Sequence, residues 1–479
     1  MMKDQYVNPM AFLNKVKPEK HCRYPYTDLG DGRLLADCYK DVIKYVPERK
    51  CWYVYRNGVW VQDLGGLQVA ECCKELADAL KLYAKRIEDE DLRANYTKHC
   101  KKWESRKARE TIIKDACSIH PVSITEFDRN PNILNCKNGT LNLETMQFAS
   151  HRPEDLLTKM APVDYNPTAK CDRFERFIHE IMSGDDDKAS FLQKALGYAL
   201  SGNTMHECMF ILHGETTRNG KSTICESVRK VLGTYGCSTT PETLGIKAFV
   251  NSHTPSDDLA RLAGIRYVNI SEPDQGLVLS AALVKALTGN NTITARHLYE
   301  NSFEYAPRFK IFLDCNHLPI ISDMTLFASG RLMIIPFDRH FSVHEQDKTL
   351  KTEFAKPAVQ SAILNWLIEG YTLLQKEGLT PPASVLAATG IYQEDSDYIT
   401  QFMREQLIEI PGAEVRTSVV YSRYRRWCED KAIIPDTNRN FNTSLRRFAE
   451  VARKRPRSGG GMTTMLLGYQ LLPIEPHQE

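Results

Sequence analysis

Long hydrophobic runs are missing from this chain. No stretch of about 18 apolar residues occurs, which argues against a membrane-spanning helix. The start, Met1-Met-Lys-Asp-Gln-Tyr6, lacks the charged-then-apolar plan of a secretory signal. Excess charge of one sign is missing too. Against 62 Lys and Arg stand 60 Asp and Glu, a net charge of +2, so a nucleic-acid surface has to be local rather than global. The 14 cysteines are single residues apart from Cys72-Cys73. No Cys-x-x-Cys pair is present, so zinc-site spacing is lacking. Reduced, mostly buried thiols in a cytosolic protein are the expectation. What is there is globular: 42% hydrophobic and 25% charged residues over 479 positions. That length suits about two to four domains.

The chemistry concentrates in one stretch. The apolar run Cys208 to Leu212 leads into Gly214-Glu-Thr-Thr-Arg-Asn219-Gly220-Lys221-Ser222-Thr223. Strand, glycine-bounded loop and helix start follow in the order of a phosphate-binding loop. Its glycines let backbone N–H groups close around phosphate oxygens. The helix N-terminus adds its positive dipole end. Lys221 can then reach the β- and γ-phosphates, and the Ser222 hydroxyl can hold Mg²⁺. Five residues separate Gly214 from Gly220, where the usual spacing is four. Taken alone, the stretch also suits a glycine-bounded turn with an incidental Lys-Ser.

Before this loop the pattern is mixed. Residues 1 to about 40 show little periodicity and read as loosely ordered. Cys51 to Asp63 reads as a β-hairpin around Asn57-Gly58. Leu67 to Ile87 and Leu92 to Cys117 have helical spacing. A second hairpin is expected around Asn138-Gly139. Cys171 to Gly202 reads as two helices broken at Ser183-Gly184-Asp185. After the loop, short apolar strands alternate with helices: strands at Ile265–Ile270, Phe309–Asp314 and Leu332–Pro336, helices at Lys221–Leu232 and Ser280–Leu287. Such alternation predicts a parallel α/β sheet. A helix over Gln360–Gln375 follows. Leu379-Thr-Pro-Pro382 marks a domain boundary. Beyond it, helices at Ser418–Lys431 and Asn440–Val451 precede Ser458-Gly-Gly-Gly461 and a β-like Met465–Leu472, the plan of a winged helix.

Three further residues stand at strand ends. Glu272 follows the strand ending at Ile270, where an acid can polarise a water or help hold Mg²⁺. Asn316 follows the next strand and can orient the water or sense the γ-phosphate. Arg331 precedes the last strand and can act in trans as an arginine finger at a subunit edge. Each alone also suits a surface position beside a turn.

The ordered set Gly-x5-Gly-Lys-Ser, Ser271-Glu272, Asn316-His-Leu-Pro319 and Gly330-Arg-Leu-x-x-x-Pro336-Phe337 resembles the superfamily 3 helicases. More narrowly it is similar to the phage and plasmid primase-helicase family related to poxvirus-type helicases. Phe127 to Leu143 and Ile363 to Thr380 carry the likeness to either side, so it covers roughly residues 45 to 475. The resemblance implies an AAA+ type P-loop core that forms a hexameric ring around single-stranded DNA, with ATP and Mg²⁺ between subunits. It implies Gly214, Asn219, Gly220, Lys221, Ser222 and Thr223 as the nucleotide loop, Ser222 and Glu272 as metal ligands, and Lys221, Glu272, Asn316 and Arg331 as catalytic residues. Lys285, Arg296 and His297 fall where the family feeds a hairpin into the ring's channel. Three departures stand out. The loop is one residue longer than the usual spacing. Ser271 replaces the first of two acids, leaving Asp274 as an extra candidate. Gly-Asn-Asn replaces Gly-Gly-Asp at 289–291.

Arg446, Arg447, Arg453, Lys454, Arg455 and Arg457 cluster near the C-terminus, and such a cluster favours DNA phosphates. Tyr421 and Trp427 read as helix core rather than as stacking platforms. The expected organisation is a flexible segment at 1–44, an α+β domain at 45–165, a helical linker at 166–205, the ATPase core at 206–378 and a winged-helix domain at 379–479. The function expected is an ATP-dependent replicative helicase of a phage or mobile element. Its partners would be single-stranded and forked DNA, copies of itself, and a primase or other replisome proteins. It would work in a bacterial cytoplasm. An origin-binding initiator whose ATPase drives assembly is the alternative.

Overall fold

The eleven residues Asp28–Cys38 carry two glycines, Gly30 and Gly32, and the periodicity there is faint. They nevertheless form a helix in the computed structural model. The structure describes residues 7–245, 257–271, 277–296, 302–321, 323–431, 435–456 and 461–473. The expectation of a flexible segment at 1–44 is corrected over residues 7–44. Pro9–Val16 is a helix with proline in its first turn and the Asn8 side chain accepting from the Ala11 N–H. Thr27 caps Asp28–Cys38 in the same way. Leu13, Leu34 and Leu35 are buried with Leu76, Leu80 and Trp103. Gly32 is there for contact, not freedom: a Cβ would stand 2.8 Å from the Asp115 Cβ. A glycine that serves helix packing dilutes the apolar pattern a sequence reading depends on.

The rest of the N-terminal part follows its turn chemistry. Strands Ile43–Val46, Cys51–Arg56 and Val59–Gln62 pair antiparallel. Asn57 and Gly58 join the last two with φ of 51° and 81°, as a tight hairpin turn requires. Leu67–Ala84, Glu90–Cys100 and Arg106–Ala116 are helices. The continuous helix expected over 92–117 is broken by a 3₁₀ turn at Lys101–Glu104. Strands Ile133–Cys136 and Gly139–Asn142 form the second hairpin. Leu134, Cys136 and Leu141 share a core with Phe174, Leu196 and Phe210. By its packing this hairpin goes with the central sheet, although its place in the chain suggested the preceding domain.

The central sheet has five parallel strands: β1 (Met209–His213), β2 (Gly236–Thr239), β3 (Tyr267–Ser271), β4 (Lys310–Cys315) and β5 (Leu332–Pro336). Their order is β5-β1-β4-β3-β2. The helix α1 (Lys221–Leu232) follows β1. All six residues of β4 are buried, as expected of a central strand covered on both faces. The edge strand β2 escaped sequence reading because Gly-Cys-Ser-Thr carries no apolar alternation. Phe312 in β4 stacks against Phe210 in β1 and tilts against Tyr267 in β3, with ring centroids 5.0 and 5.1 Å apart. Phe312→Ala should destabilise the protein by about 3–5 kcal/mol through loss of buried area and the cavity left behind. Chemical denaturation of the variant checks this; a loss below about 1 kcal/mol would contradict the packing.

At the opposite, N-terminal end of the sheet two cations are buried. Lys310 donates to the Ser201 carbonyl oxygen, and its ammonium lies 4.1 Å from the Tyr198 ring centroid. Arg266 donates to the Leu200 and Ile133 carbonyl oxygens. Burial pushes the Lys310 pKa well below the usual lysine range. These contacts fasten the 133–142 hairpin and the helix Asp186–Tyr198 to the sheet.

By packing, the chain divides into one unit of Met1–Pro319 with Ser329–Ala388, and a second of Ile320–Ala328 with Thr389–Glu479. The expected boundary at 379 thus moves to 389. Ile320–Ala328 joins the second unit, where Phe327 meets Tyr392 edge-on at 5.2 Å. This unit runs helix Tyr398–Gln406, strand Leu407–Arg416, helices Thr417–Asp430 and Asn438–Leu445, then strands Val451–Lys454 and Thr463–Leu471. The strand 463–471 lies between the other two. Phe402, Tyr424, Trp427 and Phe441 fill its core, with Tyr424 and Phe441 rings stacked at 4.5 Å. Trp427 is a core residue, and the partly buried Tyr421 packs against the same core.

Candidate functional site

In an open parallel sheet, ligands bind beyond the carboxyl ends of strands where the strand order reverses. Here the chain runs from β1 to the far edge, returns through β3 to β4, and crosses to β5 on the other side of β1. The glycine-bounded loop leaves β1 at that point. Helix α1 starts on Gly220, whose φ is 88°, and has no side-chain cap. A helix start without a cap is a ready anion site. Neither glycine admits a side chain. At Gly214 a Cβ would run into the Asn219 amide and the Phe337 carbonyl oxygen; at Gly220 it would strike Ile181.

The contacts of the loop account for its extra residue. Asn219 Nδ2 donates to the Thr216 carbonyl oxygen at 2.7 Å. The ring of His340 donates to the Thr217 carbonyl oxygen at 2.9 Å. The Phe341 N–H donates to the Arg218 carbonyl oxygen at 3.0 Å. The segment following β5 therefore supports the lengthened loop.

Lys221 is buried, with its ammonium donating to Asn316 Oδ1 at 2.8 Å and to the Gly214 carbonyl oxygen at 3.3 Å. Burial pushes its pKa below the usual lysine range, and the Asp314 carboxylate partly offsets that. Ser222 Oγ donates to Asp314 Oδ2 at 3.1 Å. The structure thus brings Gly214, Asn219, Gly220, Lys221, Ser222 and Asn316 together, and adds Asp314. Sequence reading passed over Asp314 because it sits inside an apolar strand rather than after one. Thr223, with Phe177, Arg218, Gly220 and Phe341, lines a cavity of about 220 Å³ beside the loop. Ser222, Asn269 and Ser271 line another of about 250 Å³.

Arg331 is placed elsewhere. Its carbonyl accepts from the Met209 N–H at the beginning of β1, the end of the sheet away from the loop. Its guanidinium pairs with Glu207 at 2.6 Å and donates to Thr288 Oγ1 at 2.7 Å. It does not join the Lys221 cluster of its own chain. Lys285 lies in helix Ala281–Thr288. Arg296 follows the strand Ile293–Ala295, which pairs antiparallel with Phe303–Tyr305. In the second unit Arg446 donates to the Val451 carbonyl oxygen, Lys454 pairs with Glu414 at 2.5 Å, and Arg447, Arg453 and Arg455 are exposed. Glu272, Asp274, His297 and Arg457 lie outside the described residues. Among the described residues no group of three or more His, Cys, Asp or Glu is arranged to hold a metal, and no helix is long and apolar enough to cross a membrane.

The fold and the cluster define a class: a parallel α/β protein whose central strand ends carry a lysine-serine loop facing an acid and an amide. Residues 32–183 match the family model described as D5 N terminal like. A protein of Acanthamoeba polyphaga mimivirus named "putative helicase" is 26% identical over 433 residues, 83% of this chain and 45% of its own length. One of Frog virus 3 with the same name is 27% identical over 306 residues, 60% of this chain and 30% of its own. A protein of African swine fever virus named as a primase is 23% identical over 328 residues, 64% of this chain and 34% of its own. The chain is related to the superfamily 3 type primase-helicases. It spans less than half the length of each of these three relatives. Among solved structures, the apo C-terminal region of NrS-1 aligns over 91% of this chain and 99% of its own with a TM-score of 0.47 and 10% identity.

Proposed function

We propose that this chain is an ATP-dependent replicative DNA helicase of a phage or mobile element, with an AAA+ type core and acting as a ring. The observation that carries the reading is the Lys221–Asn316 contact at the carboxyl ends of β1 and β4, beside an uncapped helix start. In that reading the loop amides and Lys221 hold the triphosphate of ATP, and the cavity beside Thr223 receives the nucleoside. Asn316 exchanges its contact with Lys221 for one to the attacking water or the γ-phosphate. Glu272 polarises that water. The hydroxyl and carboxylate oxygens at the strand ends suit Mg²⁺, a hard cation that takes few protein ligands and keeps phosphates and waters. When bound it neutralises charge on the phosphates.

Arg296, following the strand 293–295, would meet DNA phosphates in the ring's channel, and Lys285 and His297 are further candidates for that contact. The second unit has the element order of a winged helix, and its exposed arginines would meet DNA phosphates. The setting in this reading is replication in a bacterial cytoplasm, with single-stranded and forked DNA, further copies, and a primase or other replisome proteins as partners. Strand displacement on a forked duplex tests it. The helicase reading requires displacement that depends on ATP. Turnover and ring assembly without displacement would favour the origin-binding initiator, whose evidence is the same basic second unit.

A further inference from the structure

Asp314 is a nearly fully buried carboxylate, 4% exposed, on the central strand. It lies directly opposite Ser271 in the parallel register of β4 with β3, and opposite Leu212 of β1. Residues opposite one another in register project from the same face of a sheet. On that face its Oδ2 accepts the Ser222 hydroxyl at 3.1 Å, and Lys221 is close enough to feel its charge. Ser271 itself carries no charge; its Oγ accepts from Asn269 Nδ2 at 2.7 Å. Among the described residues the strand next to the loop strand therefore supplies an acid, where β3 itself ends in the Ser271 hydroxyl.

Burying a carboxylate is costly unless charge and hydrogen bonds offset it. The hydroxyl it accepts is the one a phosphate-binding loop turns toward its cation. Accepting the Ser222 hydrogen leaves an Oγ lone pair available to a cation, and the carboxylate charge lies beside it. Mg²⁺ bound with a nucleotide takes only one or two carboxylates, the rest being phosphate and water. A lone carboxylate with a hydroxyl is thus enough, and a cluster of three acids is not required.

We propose that Asp314 is a metal-holding residue of the nucleotide site, fixing the Mg²⁺ that accompanies ATP together with Ser222, directly or through a metal-bound water. The proposal rests on the nucleotide reading above. Asp314→Asn separates charge from shape, because the amide oxygen can still accept from Ser222. The measurement is binding of a fluorescent, non-hydrolysable ATP analogue to the full chain, without metal and across a Mg²⁺ titration, with thermal unfolding recorded alongside. The variant should keep its unfolding temperature and should bind the analogue without metal no more weakly than the native chain, because it removes negative charge beside the phosphates. Its half-saturating Mg²⁺ should rise about 10–100-fold, the usual effect of disturbing the surroundings of a metal. Adding Ser271→Asp to that variant should bring the Mg²⁺ requirement back toward the native value. A variant with native Mg²⁺ dependence overturns the proposal. So does one that loses metal-free binding equally, because Asp314 would then only shape the loop. A native chain that binds no analogue with or without Mg²⁺ removes the nucleotide reading itself.

Discussion

Lys221→Ala should abolish ATP turnover, by about a thousandfold or more, on the scale of removing a preorganised donor from developing charge. The reason lies in what the ammonium touches. Lys221 is buried at the start of α1, tied to Asn316 and to the Gly214 carbonyl oxygen. Its desolvation raises the cost of carrying charge there, which a triphosphate would offset by supplying opposite charge. Alanine leaves the loop amides in place and removes the cation from that group of contacts. Phosphate release by the purified variant checks this, with circular dichroism to show that the fold is kept. Turnover near the native rate would show that the loop is not the catalytic site.

Arg331→Ala should be nearly as severe if subunits share their sites, because an arginine finger contributes about 10³–10⁵ to rate. The geometry makes the test unusually specific. Arg331 stands at the beginning of β5, while Lys221 follows the end of β1, so one chain does not bring the two together. Head-to-tail contacts in a ring would do so between copies. Neither Lys221→Ala nor Arg331→Ala should then turn over ATP alone. Mixed in equal amounts, they should regain turnover, since about a quarter of the interfaces in a randomly mixed ring combine an intact Lys221 with an intact Arg331. No recovery on mixing, with rings formed, would assign Arg331 to its contacts with Glu207 and Thr288 alone.

The parts that sequence made legible are those whose local chemistry is strong. The loop ending in Lys221-Ser222, the strands at 209–213, 310–315 and 332–336, and the Asn57-Gly58 turn each carry their own signal. The parts it hid depend on contacts distant in the chain. Helix Asp28–Cys38 gives up two positions to glycine, one of them pressed against Asp115. Ile320–Ala328 belongs to a unit that otherwise begins at Thr389, which chain order could not disclose. Strand Leu407–Arg416 is interrupted by Pro411-Gly412 and shifts register between Glu409 and Glu414. At the site, Asn316 is legible because it directly follows its strand. Asp314, two residues earlier, looked like part of an apolar run until the register placed it beside Ser222.

In the proposed function, hydrolysis at this site drives strand separation. Phosphate release and strand displacement should be followed together on a fork with one labelled strand, with the native chain and Lys221→Ala side by side. The account predicts that the native chain releases phosphate faster when the fork is added and displaces the strand, and that the variant does neither. Displacement by Lys221→Ala, or native turnover that leaves the fork intact, would contradict it.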